Sequence, residues 1–577
     1  MTDSATTQSG STPSERTVIG ISLGNCNSSI GVTIDDKAEV IANEDGDRQI
    51  PTIVSYVDGD EYYGGQAKSF LVRNPNNTVA YFKDFVGQEF KTVDPTHCHA
   101  SAHPKDEGGV VSFTVQDKVA AEEDDEQPAP STLSVSEVTT RYLRRLVTAA
   151  SEYLGKKVTS AVIAVPTNFS DKQREALTKA ANDAGIEILQ LVAEPVAAIL
   201  SYDARPEATV EDKIVVVADL GGTRSDVAVV ASRSGIYTIL ATVHDYEFAG
   251  THLDQVLIDH FAKEFQKKHN IDPREKARSL AKLKAEAEST KKTLSKSTSA
   301  SFGVESLAEG LDFAASLNRT RYEMLARKVF EGFNRLIEGA IKKAGLDVLD
   351  IDEVILAGGT GNTPRIAANL ATIFPESTTI LSPSTVVDAI NPSELAVRGA
   401  ALQASLIQEF ETEDIEQSTH PAVTTVKHIG NSIGVLTVGP AGEEVFTPII
   451  MPDTAVPARR MIQFPVPKEG GDVLVKVVEG NTHIKVTQPE PKAKRATVEA
   501  AADSDDSDFD EEDEEDEEKR EKEWKVGATL AEAALRDTKK DDKVEVTVNV
   551  LADLSVSVAI RVVGAKGGIR GTIQASA

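Results

Sequence analysis

Between Val18 and about residue 65, apolar residues come in short bursts broken by Gly, Asn and Asp, a pattern that predicts β-hairpins. From there to about residue 410, such bursts alternate with stretches whose apolar positions recur every three or four residues, which predicts an α/β domain. Ser134 to Leu154 has helical spacing, and AVIAVP from Ala161 to Pro166 reads as a buried strand. DKQREALTKAANDAG is a helix expected to open with Asp171 as cap and to close at Gly185. A longer helix is predicted from Leu325, Val329, Phe333, Leu336, Ala340 and Ile341 on one face, stopping at Gly345. EVILAGG is then a strand that leads through GNTPRI into a helix with Pro364 in its first turn.

The pattern changes after residue 410. Residues 411–425 are polar and acidic without clear period, as expected of an exposed linker. Short alternating runs follow from residue 426 (SIGVLTVG, MIQFPVP, VLVKVVEG), separated by Pro, Gly, Asn and Asp, which predicts an antiparallel sandwich over 426–577. An acidic low-complexity insert, about 488–523, interrupts it. A short segment around Trp524 and two final strands, KVEVTVNVLA and LSVSVAIRVVG, come after, with no helical bundle behind them. Residues 1–16 read as a disordered leader, 17–410 as the α/β domain.

Two look-alike segments stand out within the α/β part: VIGISLGNCNSSIGVTI from Val18 and IVVVADLGGTRSDVAVV from Ile214. Each reads as strand, tight turn, strand. Gly24, Gly221 and Gly222 let main-chain amides approach an anion with no Cβ in the way, so the pair can clamp phosphates from two sides. A plain hairpin is the alternative for either one alone. The second copy has Asp219 at its strand end, where a magnesium ion can be held directly or through water; the first has Ser22 there.

Charge and cysteine content narrow the picture further. The 577 residues have a net charge of -30, to which the run Asp503–Glu518 contributes heavily. Such a balance predicts no direct charge-driven grip on nucleic acid. The run itself reads as a solvated loop rather than a docking strip for a basic partner or a calcium loop, and Ser504 and Ser507 within it are candidate acidophilic-kinase sites. Cys26 and Cys98 are the only cysteines, the N-terminal sequence is polar, and no apolar run reaches the roughly 20 residues that span a bilayer. A cytosolic protein with reduced thiols and no membrane contact is expected. His97, Cys98 and His99 are adjacent but lack a second cluster, so no metal site is predicted.

The two hairpins, together with LAGGTGNTPRI at 356–366, resemble the phosphate and adenosine loops of the actin-like ATPases, in particular the seventy-kilodalton heat-shock chaperone family. NEDGDRQIPTIVSY (43–56), GGQAKSFLVRNPNNTV (64–79), LQLVAEPVAAILSY (189–202), KKTLSKSTSASFGVESLAEG (291–310) and INPSELAVRGAALQ (390–403) extend the likeness in order. The resemblance implies a two-lobed ATPase domain with RNase H-like sheets, followed by a reduced β-sandwich without its helical lid. It implies ATP as cofactor, held by Gly24, Asn25, Cys26, Gly221, Gly222, Thr223 and Arg224 around the phosphates. Glu288, Lys291, Lys292, Ser295, Gly358, Gly359, Thr360 and Asn362 fall on the nucleoside side. Taken alone, EAESTKKTLS reads as a solvated charged helix.

Phosphoryl transfer to water needs a bridging metal, a cation on the terminal phosphate and a group orienting the water. By resemblance Lys68, Glu194 and Asp219 keep three of those positions. The departures are Ser22 for a carboxylate, Asn25 and Cys26 for a threonine pair, Arg224 for a threonine, Asn362 for an arginine and Ser393 for an aspartate. Arg224 can pair with a phosphate, fill the terminal-phosphate pocket, or lie in solvent as a turn arginine. The expectation is a pseudo-ATPase that binds ATP with magnesium weakly required or dispensable. Such departures resemble the divergent heat-shock subunits of the fungal ribosome-associated complex. That likeness implies a stable heterodimer with a zuotin-like J-domain protein, ribosome association through the partner, and stimulation of a separate active chaperone, with nascent chains a further contact. It also implies a partner interface chiefly on residues 426–577. The alternatives are an autonomous ATP-hydrolysing peptide-binding chaperone, a nucleotide-exchange partner, and a small-molecule kinase on the same fold.

Overall fold

Two sheets of identical strand order form the first half of the molecule. Strands β1 (Val18–Leu23), β2 (Asn27–Ile34) and β3 (Lys37–Ile41) make an antiparallel meander, and β4 (Ser160–Val165) and β5 (Glu187–Ala193) add in parallel beside β1, giving the order β5-β4-β1-β2-β3. Strands β6 (Lys213–Leu220), β7 (Ser225–Arg233), β8 (Ile236–Asp245), β9 (Glu353–Ala357) and β10 (Thr379–Leu381) repeat the plan as β10-β9-β6-β7-β8. The strands beside each hairpin are continuous apolar runs because helices cover both faces. In this computed structural model residues 16–97, 101–118, 129–438, 443–466, 470–487, 519–565 and 567–574 are described. The chain divides into two compact units, Met1–Thr425 and Val426–Ala577.

Helices Glu194–Asp203 and Leu395–Ile407 pack between the two sheets, and glycine lets them do so. A Cβ on Gly399 would lie 1.9 Å from the Ala197 carbonyl oxygen, and one on Gly20 of β1 would lie 2.3 Å from the Ala401 nitrogen. One lobe's core gathers Ile19, Ile21, Phe82, Phe85, Tyr142, Leu143 and Phe169; the other gathers Val216, Val229, Phe261, Phe302, Phe333 and Leu356.

Several local expectations shift. The helix Asp171–Asp183 is capped by Ser170, whose hydroxyl and Gln173 form a reciprocal box, so Asp171 is its first turn rather than its cap. The long helix is two, Arg319–Leu325 and Arg327–Lys343, broken at Ala326, and Leu325 falls in the shorter one. Arg16, counted with the leader, is buried and donates to the Phe410 carbonyl (2.6 Å) and to Thr412 Oγ1 (2.7 Å). The expected linker contains the helix Thr412–Thr419, with Ile415 buried against Val162, Ala404 and Ile407. One apolar residue in eight is too sparse to show a period.

In the second unit β11 (Ser432–Val438), β12 (Glu444–Ile450), β13 (Ala458–Pro465), β14 (Gly471–Thr487), β15 (Lys519–Thr538), β16 (Lys543–Val550), β17 (Val556–Val562) and β18 (Ile569–Ile573) form two four-stranded sheets, β12-β11-β14-β15 and β13-β16-β17-β18. Their inward faces bury Val435, Val475, Val477, Val546, Val548 and Ile560. The segment around Trp524 is the long strand β15, and β18 follows the two expected final strands. Residues 519–523, assigned to the acidic insert, lie within β15. The register of β14 and β15 continues to Thr487↔Lys519, so the two strands that flank the insert pair directly with each other. Most of the insert, with Ser504 and Ser507, lies outside the described residues, as do Cys98 and His99. No helix follows Thr424 among the described residues, and none there is long and apolar enough to cross a membrane.

Candidate functional site

The site is built where the turns of the two hairpins meet. In β1 and β2, Ser22 pairs with Ser29 and Leu23 with Ser28, so the turn begins at Gly24; in β6 and β7, Asp219 pairs with Asp226 and Leu220 with Ser225. The turns touch directly. Asn25 Nδ2 donates to Thr223 Oγ1 at 3.0 Å, and a Cβ on Gly222 would stand 2.4 Å from Cys26 Sγ. Burial pushes the Cys26 thiol up to about 12, so it is an unreactive packing group.

The second turn is also clamped from behind. Gly221 donates to the Arg224 carbonyl (3.0 Å), while its own carbonyl accepts from the Gly250 amide (3.0 Å) and from Thr360 Oγ1 (2.9 Å). Gly358 has φ +76, and a Cβ there would meet the Leu220 oxygen at 2.4 Å and Asp219 Oδ1 at 2.5 Å, so only glycine fits. The loop after β9 therefore locks onto the end of β6. Beside it Gly359 faces more open space, its nearest group being Ser393 Oγ at 3.7 Å. Asn362 donates to the Gly359 carbonyl (3.2 Å) and to Ser393 Oγ (3.3 Å), tying the positions of two departures together.

Charges concentrate under the second turn. Asp219, Glu194 and Asp226, with Thr167, line a cavity of about 10 Å³, room for a single water. Burial, then the nearby Glu194 and Asp226, push the Asp219 carboxyl up to about 7. Burial also opposes the charge on Asp226, but His244 and Arg224 outweigh it and hold that carboxyl down at about 2. The cation beside Glu194 is Lys83, at 3.3 Å and buried with it.

Lys68, expected at this place, instead pairs with Glu288 at 2.7 Å, on the nucleoside side of the cleft. Burial opposes the Glu288 charge, but Lys68 and Lys292 prevail and hold it at about 2. Lys291 Nζ donates to Asp254 (2.8 Å) and to the Gly250 carbonyl (2.9 Å), and Ser295 donates to the Lys291 carbonyl. On this helix, Ala277–Lys296, Glu288 joins Lys68 to Lys292, while Lys291 and Ser295 form a second group with Asp254.

Arg224 matches one of its three expected roles, filling space under the second turn. It is 6 % exposed, and its guanidinium engages both oxygens of Asp226 together with Asn168, Tyr246 and Asp84. It is neither in solvent nor left free for a phosphate. Lys83, Asp84, Asn168, Asp226 and Tyr246 were not expected here. Lys83 and Asp84 had a signal: a charged pair inside Tyr81-Phe82-Lys83-Asp84-Phe85 is costly to bury unless it finds partners.

Unpartnered buried atoms mark where a polar ligand fits. Asn25 Oδ1 at the first turn, and Thr251 Oγ1 and Asp254 Oδ1 at the start of helix Gly250–His269, have no hydrogen-bond partner. With the glycine turns they suit a nucleotide's phosphates and hydroxyls. Among the described residues, no three His, Cys, Asp or Glu converge to hold a metal ion.

The sequence profile described as "Hsp70 protein" matches residues 18–488. The chain belongs to the Hsp70 family. It is 45% identical over 479 residues to a heat shock protein 70 homologue of Schizosaccharomyces pombe, covering 83% of each chain. It is 44% identical over 489 residues to the ribosome-associated complex subunit SSZ1 of Saccharomyces cerevisiae, covering 85% of this chain and 88% of that one. Heat shock 70 kDa protein 14 of Danio rerio is 31% identical over 442 residues, 77% of this chain and 84% of that one. The α/β unit is thus an Hsp70 ATPase domain with an all-β region behind it.

Proposed function

We propose that this chain is a non-catalytic Hsp70 subunit that holds ATP with little or no hydrolysis, pairs stably with a zuotin-like J-domain protein at the ribosome, and with it stimulates a separate active chaperone. The observation that carries the reading is the filled pocket under the second turn. Arg224 is buried against Asp226 and Asp84, close to Asp219 and Glu194. A guanidinium held there takes room that a terminal phosphate and its attacking water need. ATP, when bound, supplies only its own charge and shape. The glycine turns at Gly24, Gly221 and Gly222 bind its phosphates, and the Gly358–Thr360 loop with Lys291 orients the nucleoside.

Magnesium is dispensable in this reading. Burial and the neighbouring Glu194 and Asp226 disfavour the charged form of the Asp219 carboxyl, Ser22 and Ser393 offer only hydroxyls, and Lys83 and Arg224 bring positive charge. Phosphates therefore meet less repulsion than a carboxylate-rich metal shell would impose. The partner and its ribosomal, cytoplasmic setting rest on the likeness to the subunit named above. On the sandwich, β18 is paired on one side only and largely exposed, an edge onto which a partner's extended segment can add.

Isothermal titration of ATP with magnesium and with chelator, beside a single-turnover assay, tests the nucleotide half: equal affinity and no phosphate release are expected. Affinity purification tests the other half through a stoichiometric J-domain companion. The intact Lys83–Glu194 pair beside Asp219 favours a second reading, an autonomous ATP-hydrolysing peptide-binding chaperone. Magnesium-dependent turnover and recovery as a monomer would establish that one.

A further inference from the structure

We infer that Arg224 is an interlobe clasp that keeps the cleft of the ATPase unit closed whether or not nucleotide is present. The inference goes beyond the reading above, because it concerns the equilibrium between open and closed lobes and holds with no ATP in the cleft.

The guanidinium grips both lobes at once. On its own side, Nε and Nη2 engage the two oxygens of Asp226 in β7, and Nη1 donates to the Tyr246 hydroxyl at 3.2 Å, just past β8. On the opposite side, Nη2 donates to Asn168 Oδ1 at 2.9 Å and Nη1 lies 3.5 Å from Asp84 Oδ1. Asp84 stands between Phe82 and Phe85, and Asn168 precedes Phe169; all three phenylalanines are buried in the core of the first lobe. Arg224, Asp226 and Tyr246 belong to the sheet of the second. No other described contact between the lobes puts so many donors of one side chain on both walls.

The near half of the clasp is rigid. Asp226 Oδ1, which Arg224 Nη2 engages, is also held by His244 Nδ1, and the arginine fork lies against Tyr246, 5.5 Å from its ring centroid. A planar fork already locked on one carboxylate loses little further freedom when it reaches the other wall. Burial opposes the guanidinium charge, but Asp226 and Asp84 keep it protonated, so the clasp is set at every pH where the fold survives. A lysine offers one point of contact and cannot make both halves.

Two weaker bridges run parallel to it. Asn25 meets Thr223 at 3.0 Å, and Lys68 meets Glu288 at 2.7 Å with both side chains about a third exposed. Neither is buried in the way Arg224 is. When the lobes part, Arg224 must release Asp84 and Asn168 together, so the open form is disfavoured without help from a ligand.

Hydrogen exchange on the full chain, stripped of nucleotide, tests this by reading segments 82–86, 166–170 and 222–226. In the unmodified protein, protection there without nucleotide is expected within twofold of that with ATP. Arg224→Thr is expected to speed exchange in all three segments at least tenfold without nucleotide, with helices Val135–Leu154 and Gly250–His269 unchanged and protection regained on adding ATP. Arg224→Lys is expected not to rescue. If Arg224→Thr fails to fold, Asp84→Asn carries the test: it leaves the Asp226 pair intact and is expected to loosen 82–86 and 222–226 about fivefold. Exchange in the nucleotide-free unmodified protein ten times faster than with ATP, or no change in Asp84→Asn, overturns the clasp. Because the decisive arms contain no nucleotide, a failure of ATP binding is seen separately, as an absent response to ATP alone.

Discussion

The two hairpin turns share one backbone plan and almost nothing in charge. The first presents Ser22, Asn25 and Cys26, neutral groups of modest size; the second presents Asp219, Arg224 and Asp226, tied to Lys83, Glu194 and Asp84 beneath it. Strand geometry fixes where a turn's amides point, so both remain able to cradle an anion. The chemistry of phosphate transfer depends instead on which side chains surround that anion. Of the two turns, only the second gathers strong charges, and Arg224, Asp226, Lys83 and Glu194 among them are already paired with other protein groups.

Breaking the pairing under the second turn has the largest expected effect. Lys83→Met leaves the buried Glu194 without its partner and is expected to cost about 3–5 kcal/mol in denaturant unfolding; a loss under 1 kcal/mol would mean Glu194 is not held as a charge. The turns themselves come next. Gly24→Ala drives a Cβ to 2.2 Å from the Asn27 carbonyl, whereas Gly222→Ala meets the side chain of Cys26 at 2.4 Å. The first is expected to cost about 2–3 kcal/mol because backbone must move, the second about half as much because a side chain can turn. Equal losses would refute the difference drawn between the turns.

Asp219→Asn sharpens the contrast in charge. Because the folded carboxyl is pushed up to about 7 from an ordinary value near 3.8, its contribution to stability is complete below that ordinary value and is lost as pH rises through 7. The asparagine variant therefore gains on the parent between pH 5 and pH 8, by about 2 kcal/mol at the upper end. A flat difference in melting temperature across that range would contradict the crowding of carboxylates described here. Smallest of all is Lys68→Met at the cleft mouth, where a pair about a third exposed is worth about 0–1 kcal/mol. Its unfolding midpoint is expected to stay nearly unchanged.

Much of the first unit was legible along the chain. Strong apolar periods placed the helix Val135–Leu154, the buried strand β4 and the loop after β9, and the paired hairpin motifs located the site. Lys68 shows where such reading stops. Lys68 lies on the helix Gly64–Arg73 and Lys83 opens the short helical turn Lys83–Phe85, and nothing local says which reaches Glu194; the packing of Phe82 and Phe85 into the lobe core does. In the second unit β15 was hidden because Lys, Glu and Ala at its outward positions have low strand propensity, and only pairing with β14 overrides that preference.

Local order along the chain set the secondary elements, the glycine turns and the family, since these depend on near neighbours and on a few backbone angles. Which cation meets which acid, and that Arg224 joins the two lobes rather than a phosphate, came only from the fold. Asp84, Asn168 and Arg224 lie more than fifty residues apart from one another in sequence, and a buried charge takes whatever partner the packed chain brings within reach.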